Sequence, residues 1–295
     1  MNELKQELEK QIIKNRENIK ASSVKTYISC LSNLIKKMDG ELDVKFFDNT
    51  KKILAYLDDK TPVQRKTCLS ALFILTKNED YQKPMLEDIK LVNTQYKEQT
   101  KNKKESENWL SQEDLQAFYN TYFKIASDIF KKKEWTNSDI TELQKYFLLV
   151  FLGGYFFPPR RSQDFTELKL KNFDKEKDNF YYKGCFYFNI YKTAKSFGEQ
   201  KIELPSDIDK QVKKYIKKID NEYFFFNPKT QNKLTSPNIT LMINSIFGKK
   251  ISTNMLRHFF LSNKYKDIPA LLEMEDTAKK MGHSVDVALS MYVKQ

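Results

Sequence analysis

Ten consecutive residues from Gln99 to Asn108, QTKNKKESEN, carry no apolar side chain, and they interrupt a chain of 295 residues. A segment that cannot enter a core reads as an exposed linker. The chain is therefore expected to fold as two units, residues 1–98 and 109–295, joined by a linker over 99–108. Its length exceeds one average domain and suffices to bury a substantial core.

Before the linker the apolar pattern is helical. SSVKTYISCLSNLIKKM sets Val24, Tyr27, Ile28, Leu31, Leu34 and Ile35 at helical intervals behind serines placed to cap the start. NTKKILAYLDD reads as a short helix. In TPVQRKTCLSALFILTK, Thr61 is an expected N-cap with Pro62 in the first turn, and Leu69, Leu72 and Phe73 form an apolar face. The first hundred residues thus describe a small all-helical domain with Lys25, Lys36, Arg65 and Lys66 on polar faces.

Beyond the linker, Ser111 and Asp114 have the spacing of a capping pair at the head of a helix. ITELQKYFLLVFLGGYFF follows as a deeply buried helix, stopped by two prolines. The pattern then changes: from Asn179 to Leu204 aromatic and β-branched residues dominate, with Gly184 and Gly198 as turn markers, which predicts three antiparallel strands. Helices resume at SDIDKQVKKYIKKI, SPNITLMINSIF and STNMLRHFFLSNKY, and after Pro269 at a segment that Gly282 terminates. The expected class is mainly α with a small antiparallel sheet.

A formal net charge of +12 favours a polyanionic partner, with nucleic acid the first candidate, because lysines and arginines that neutralise phosphates release condensed counterions. Charge alone leaves open a basic surface indifferent to DNA. Cys30, Cys68 and Cys185 are odd in number, distant in sequence and without metal-ligand spacing, which points to reduced thiols in a core and argues against a disulfide scaffold or a zinc site. The N-terminal stretch is charged throughout and no apolar run is long enough to span a bilayer, so a soluble cytoplasmic or nuclear protein is expected, neither secreted nor membrane-bound.

Three short stretches carry chemistry. In PPRRSQDFTELKLKNFD two arginines are followed by Asp164, Phe165, Leu168, Leu170 and Asp174. Near the end, NMLRH, MGHS and MY supply Arg257, His283 and Tyr292, the tyrosine nine positions after the histidine. In order and spacing these resemble the two arginine boxes, Gly-His pair and tyrosine of the tyrosine recombinase (phage-type integrase) family. On that register Arg161, followed three residues on by an acid, matches the first arginine. The resemblance covers Trp109 to the end and, more weakly, the N-terminal region, which is similar to the helical, SAM-like core-binding domain of such enzymes.

The resemblance implies a site-specific recombinase or integrase that clamps double-stranded DNA between two domains and works as a homotetramer on two DNA sites. Arg161 and Arg257 would hold the nonbridging oxygens of a phosphodiester, a role suited to planar guanidinium forks without a metal. Tyr292 would be the nucleophile, a weak one unless positive charge and hydrogen bonds surround it. His283 would hydrogen-bond the phosphate or assist proton movement. The family also uses a β-hairpin lysine to protonate the departing 5′-oxygen, and NIYKTAKSFGEQKIELP resembles that hairpin, with Lys192 the first choice and Lys195 the second. Lys25, Arg65, Lys66, Arg160 and Lys195 are expected to contact DNA.

One position departs from the family. Where it has histidine or lysine three residues before the second arginine, this chain has Asn254, which can donate a hydrogen bond to phosphate but cannot shuttle a proton near neutral pH. His258 is read as support for its neighbours. The resemblance implies no cofactor, ATP or metal, and the sequence lacks a P-loop and an evident carboxylate cluster for two-metal catalysis. A type IB topoisomerase would use a similar constellation, and an accessory protein with a decayed site would bind DNA without cutting it. The mobile-element or viral style of the first box is a further expectation.

Overall fold

The computed structural model describes residues 2–97, 101–265, 268–282 and 285. The chain forms two compact units, Met1–Asn102 and Lys103–Gln295.

The first unit is helical. It runs α1 (Asn2–Asn15), α2 (Ala21–Lys37), a 3-10 turn at Val44–Asp48, α3 (Thr50–Asp58), α4 (Pro62–Thr76) and α5 (Glu79–Lys97). Thr61 stands at the N-cap of α4 with Pro62 in its first turn, as its sequence predicts. The serines of α2 do not cap it: the N-cap is Lys20, and Ser22 and Ser23 lie inside the first turn. Its core takes Val24, Leu31, Leu34 and Ile35 from α2 and Leu69, Leu72 and Leu75 from α4, all buried.

Two helices here have no counterpart in the sequence reading. In α1 only Leu4, Leu8 and Ile12 are buried, one residue per turn among charged neighbours, and Asn15 at its end donates to the carbonyls of Ile74 (2.9 Å) and Leu75 (2.7 Å). On α5 the inward stripe runs Tyr81, Asp88, Val92, and its central member is an acid with no exposure. Arg65 of α4 makes that burial tolerable: Nε donates to Asp88 Oδ2 at 2.8 Å and Nη2 to Oδ1 at 2.7 Å, a bidentate pair that keeps both carboxylate oxygens bonded.

The second unit contains α6 (Lys103–Asn108), α7 (Gln112–Lys131), α8 (Asn137–Leu152), α9 (Ser162–Thr166), β1 (Leu168–Lys169), β2 (Asn179–Tyr182), β3 (Cys185–Phe188), α10 (Ala194–Phe197), β4 (Gln200–Glu203), α11 (Ser206–Lys218), α12 (Ser236–Phe247), α13 (Thr253–Lys264) and α14 (Ile268–Lys280). The expected antiparallel strands are β2, β3 and β4, with β2 and β3 joined through Lys183 and Gly184, both at positive φ. One strand is added: β1 pairs with β2 in parallel, so the sheet is four-stranded and mixed, in the order β1-β2-β3-β4. Two residues are too few to show a pattern.

Part of the expected linker is not free chain. Residues 103–108 form α6, which docks on the second unit through polar groups: Asn108 Oδ1 accepts from Lys250 N at 2.9 Å, and Glu105 Oε1 meets His258 Nδ1 at 3.0 Å. The lack of apolar side chains excludes a core position, but it does not exclude hydrogen-bonded docking.

Buried aromatic rings dominate the core of this unit. Phe147 and Phe151 of α8 meet Phe165 of α9, Phe186 of β3, and Phe224 and Phe225, with Phe151 stacked on Phe165 at 5.6 Å. Helix α8 ends at Gly153, not at the prolines. Beside it Gly154 adopts φ +81°, and a Cβ there would stand 2.9 Å from the Phe260 ring of α13. That close approach brings the end of α8 against α13.

Candidate active site

The chain leaves α8, passes Pro158 and Pro159, and enters α9 with Arg161 at the N-cap in extended conformation. This places Arg160 and Arg161 in consecutive positions with different surroundings.

Arg160 is built into the fold. Its Nε donates to Asp164 Oδ2 at 2.9 Å, Nη1 donates to Gln200 Oε1 of β4, and the guanidinium lies over the rings of Phe188 (4.1 Å) and Tyr191 (5.0 Å). Its fork joins α9 to β4. Arg65 is engaged likewise, by Asp88 and, at 3.3 Å, by Asp58. Lys25 is exposed on α2 and Lys66 half-buried on α4.

Arg161 and Arg257 differ from both. Each is half-buried, and among the described residues neither guanidinium makes a hydrogen bond or an ion pair. Both exert their charge on one acid. Asp164, 3 % exposed, has its carboxyl pushed above the usual aspartate range by burial, against the opposing pull of Arg160, Arg161 and Arg257. Its Oδ1 has no hydrogen-bond partner among the described residues. Three guanidinium charges thus act on one acid, and two of those groups make no hydrogen bond or ion pair among the described residues.

Asn254 and His258 lie one turn apart on α13, the helix that carries Arg257. Asn254 is exposed, and its Nδ2 sits 3.2 Å from His258 Nε2, while His258 Nδ1 sits 3.0 Å from Glu105 Oε1. With Nδ1 donating to the carboxylate, Nε2 accepts from the Asn254 amide. His258 therefore supports Asn254 and connects it to α6.

The strands contribute the connection between β3 and β4, which holds Lys192 and Lys195, both exposed. It is a loop containing α10, wider than a tight hairpin turn. Tyr191 Oη donates to the Gly198 carbonyl at 2.6 Å and closes it.

Sequence reasoning missed the residue that anchors this loop. Asn179, fully buried at the start of β2, donates through Nδ2 to the carbonyls of Asp164 (2.9 Å) and Ile190 (2.8 Å), and its Oδ1 accepts from the backbone N–H groups of Asn189 (2.8 Å) and Ile190 (2.7 Å). One amide ties α9 to the loop that bears Lys192, with donors and acceptor all satisfied. An asparagine heading a run of aromatics was the available signal, because asparagine is depleted in strands.

His283 and Tyr292 lie outside the described residues. Of the described tyrosines, Tyr146, Tyr181 and Tyr215 have hydroxyls that burial pushes upward in pKa and that bond to Gln211, Asp209 and the Phe224 carbonyl respectively. They are core groups, poorly placed for nucleophilic attack. Among the described residues no group of three or more His, Cys, Asp or Glu is placed to hold a metal ion, and no helix is long and apolar enough to cross a membrane.

No known family model matches the chain, and no curated protein matches it. Among solved structures, the crystal structure of XerA recombinase is similar at 14% identity and a TM-score of 0.35, over 87% of this chain and 83% of that one. A likeness of that size assigns no role to any residue.

Proposed function

We propose that this protein cleaves and rejoins double-stranded DNA through a 3′-phosphotyrosine, as a tyrosine recombinase does. The observation that carries the reading is the pair Arg161 and Arg257: two half-buried guanidinium groups whose charges both act on Asp164 and whose donors are not engaged among the described residues. A tetrahedral or pentacoordinate phosphate with two charged nonbridging oxygens is a natural ligand for two such forks.

In this reading the Tyr292 hydroxyl attacks the scissile phosphorus, and the bond from phosphorus to the 5′-oxygen breaks. Arg161 and Arg257 stabilise the charge that develops on the nonbridging oxygens, and His283 and Asn254 donate hydrogen bonds to them. Lys192 gives its proton to the departing 5′-oxygen. A 5′-hydroxyl from a partner strand then attacks the phosphotyrosine and restores the diester. The phosphotyrosine conserves the bond, so the cycle calls for no nucleotide cofactor or metal. Lys25, Lys66 and Lys195 add phosphate contacts, and a tetramer assembles on two DNA sites.

The test is a nicked DNA substrate whose short 5′-fragment diffuses away after cleavage, incubated in EDTA with wild type and with Tyr292→Phe and run on a denaturing gel. A covalent protein–DNA band for wild type alone supports the proposal. Absence of the band on cognate DNA overturns it in favour of a binder that does not cut. Relaxation of supercoiled plasmid by a monomer, without recombinant products, would make it a topoisomerase instead.

A further inference from the structure

Cys30 and Cys68 are 38 positions apart in sequence and stand on α2 and α4, which pack directly on each other in the first unit. Their sulfurs are 2.9 Å apart, within hydrogen-bond reach, so that when Cys30 is a thiolate the Cys68 thiol donates to it. A disulfide bond is about 2.05 Å long, so a closure of about 0.9 Å separates this contact from a covalent bond. Leu31 and Leu34 beside Cys30, and Leu69 and Leu72 beside Cys68, are all buried, so the core fixes both helices and holds the two sulfurs at that separation.

We propose that Cys30 and Cys68 form a reversible dithiol–disulfide site that hydrogen peroxide oxidises. Cys30 is half-buried and is the sulfur that peroxide reaches; Cys68 is 8 % exposed and lies behind it. The hydrogen bond from Cys68 favours a thiolate at Cys30, while the same bond and burial disfavour one at Cys68. This divides the roles: Cys30 attacks and Cys68 resolves. Lys37, on the same helix as Cys30, is the cation whose charge reaches Cys68.

The step balances. The Cys30 thiolate attacks one peroxide oxygen, the O–O bond breaks, and hydroxide leaves and takes a proton, giving a sulfenic acid and one water. Cys68 sulfur attacks the Cys30 sulfur, its proton leaves with the hydroxyl as a second water, and the S–S bond forms. Two thiols lose two electrons to one peroxide, and a dithiol reductant returns them. The bond would staple α2 to α4 across the 3-10 turn and α3. Cys185, buried on β3 in the second unit, stands outside the pair and serves as an internal control.

The experiment treats the reduced full-length protein with hydrogen peroxide under native conditions, then counts thiols after denaturation, records intact mass and maps the peptides. The expected result is loss of two of the three thiols, a mass lower by two hydrogens, a peptide containing Cys30 joined to one containing Cys68, and a higher unfolding midpoint, all reversed by dithiothreitol. Cys185→Ser keeps this behaviour, and Cys30→Ser and Cys68→Ser abolish the cross-link. Three persisting thiols, Cys30 accumulating as sulfinic acid beside a free Cys68, or cross-links between chains would each overturn the proposal. The wild-type peptide map decides the matter even if a serine variant folds poorly.

Discussion

His258 Nδ1 lies 3.0 Å from Glu105 Oε1, so an imidazole on the arginine-bearing helix α13 is held by a carboxylate from a six-residue helix built wholly of charged and polar residues. Replacing Glu105 with alanine should release α6 from the second unit. Since His258 is 44% exposed in this pair, the cost to global stability is about 1 kcal/mol or less. Hydrogen exchange should quicken over residues 103–108 and at the start of α13. Unchanged exchange at both would mean that the other contacts, such as Asn108 to Lys250, hold α6 alone.

Asp164 sets a pH dependence. Its folded-state pKa is raised above the ordinary 3.8, so at pH values just above 3.8 the native state binds more protons than the unfolded state. Stability attributable to this group is therefore full below that value and declines as pH rises through the folded-state pKa. Asp164→Asn, which keeps an acceptor for Arg160, should remove this descending component. Chemical denaturation from pH 3 upward reads it as a change in slope, and an unchanged slope would assign the dependence to other carboxylates.

Asn179→Ala deletes two donated and two accepted hydrogen bonds and leaves the buried Asp164 carbonyl without that donor. A loss of about 2–4 kcal/mol is expected from unsatisfied buried groups. On the proposed mechanism DNA cleavage should fall further than DNA binding, because the anchored loop carries Lys192, the proposed proton donor. Asn179→Asp should resemble alanine, having no N–H to donate.

The pairing of Arg65 with Asp88 makes stability the first property its substitution should change. Removing it strands Asp88 as a buried charge, and truncating one partner of such a pair costs about 3–5 kcal/mol. Arg65→Lys should rescue only part, since an ammonium cannot bridge both carboxylate oxygens in the plane of a fork. If either variant instead keeps its urea midpoint and weakens DNA binding, the assignment to the core is wrong.

Lys192→Ala should slow cleavage by about 10²–10⁴, the range for general acid catalysis, whereas Lys195→Ala should mainly weaken binding. A substrate with sulfur in place of the 5′-bridging oxygen separates the two, because a departing thiolate needs no proton. Rescue of Lys192→Ala by that substrate is expected, and rescue of Lys195→Ala would exchange the roles.

What the sequence disclosed depended on how local the cause was. SPNITLMINSIF coincides with α12, and Ser111 with Asp114 makes the capping box at α7, because each cause lies within three or four residues. Asp88 hid α5 by placing a charge in its buried stripe, and its explanation, Arg65, lies 23 positions earlier. Arg160 and Arg161 are chemically identical and adjacent; only the fold shows that Asp164 and Gln200 engage the first and leave the second without a partner among the described residues. The antiparallel strands were legible from their aromatics, but β1, at two residues, was not. The expected roles of His283 and Tyr292 fall outside the described residues.

Phe165 follows Asp164 on a five-residue helix too short to persist by itself. What fixes it is the stack of Phe165 on Phe151 and the edge of Phe188 against it at 5.5 Å. The address of the central charge is thus written in hydrocarbon: trimming Phe151 to leucine would alter no ionisable group and touch no phosphate, yet the acid that Arg160 holds and on which Arg161 and Arg257 exert their charge would lose its fixed place.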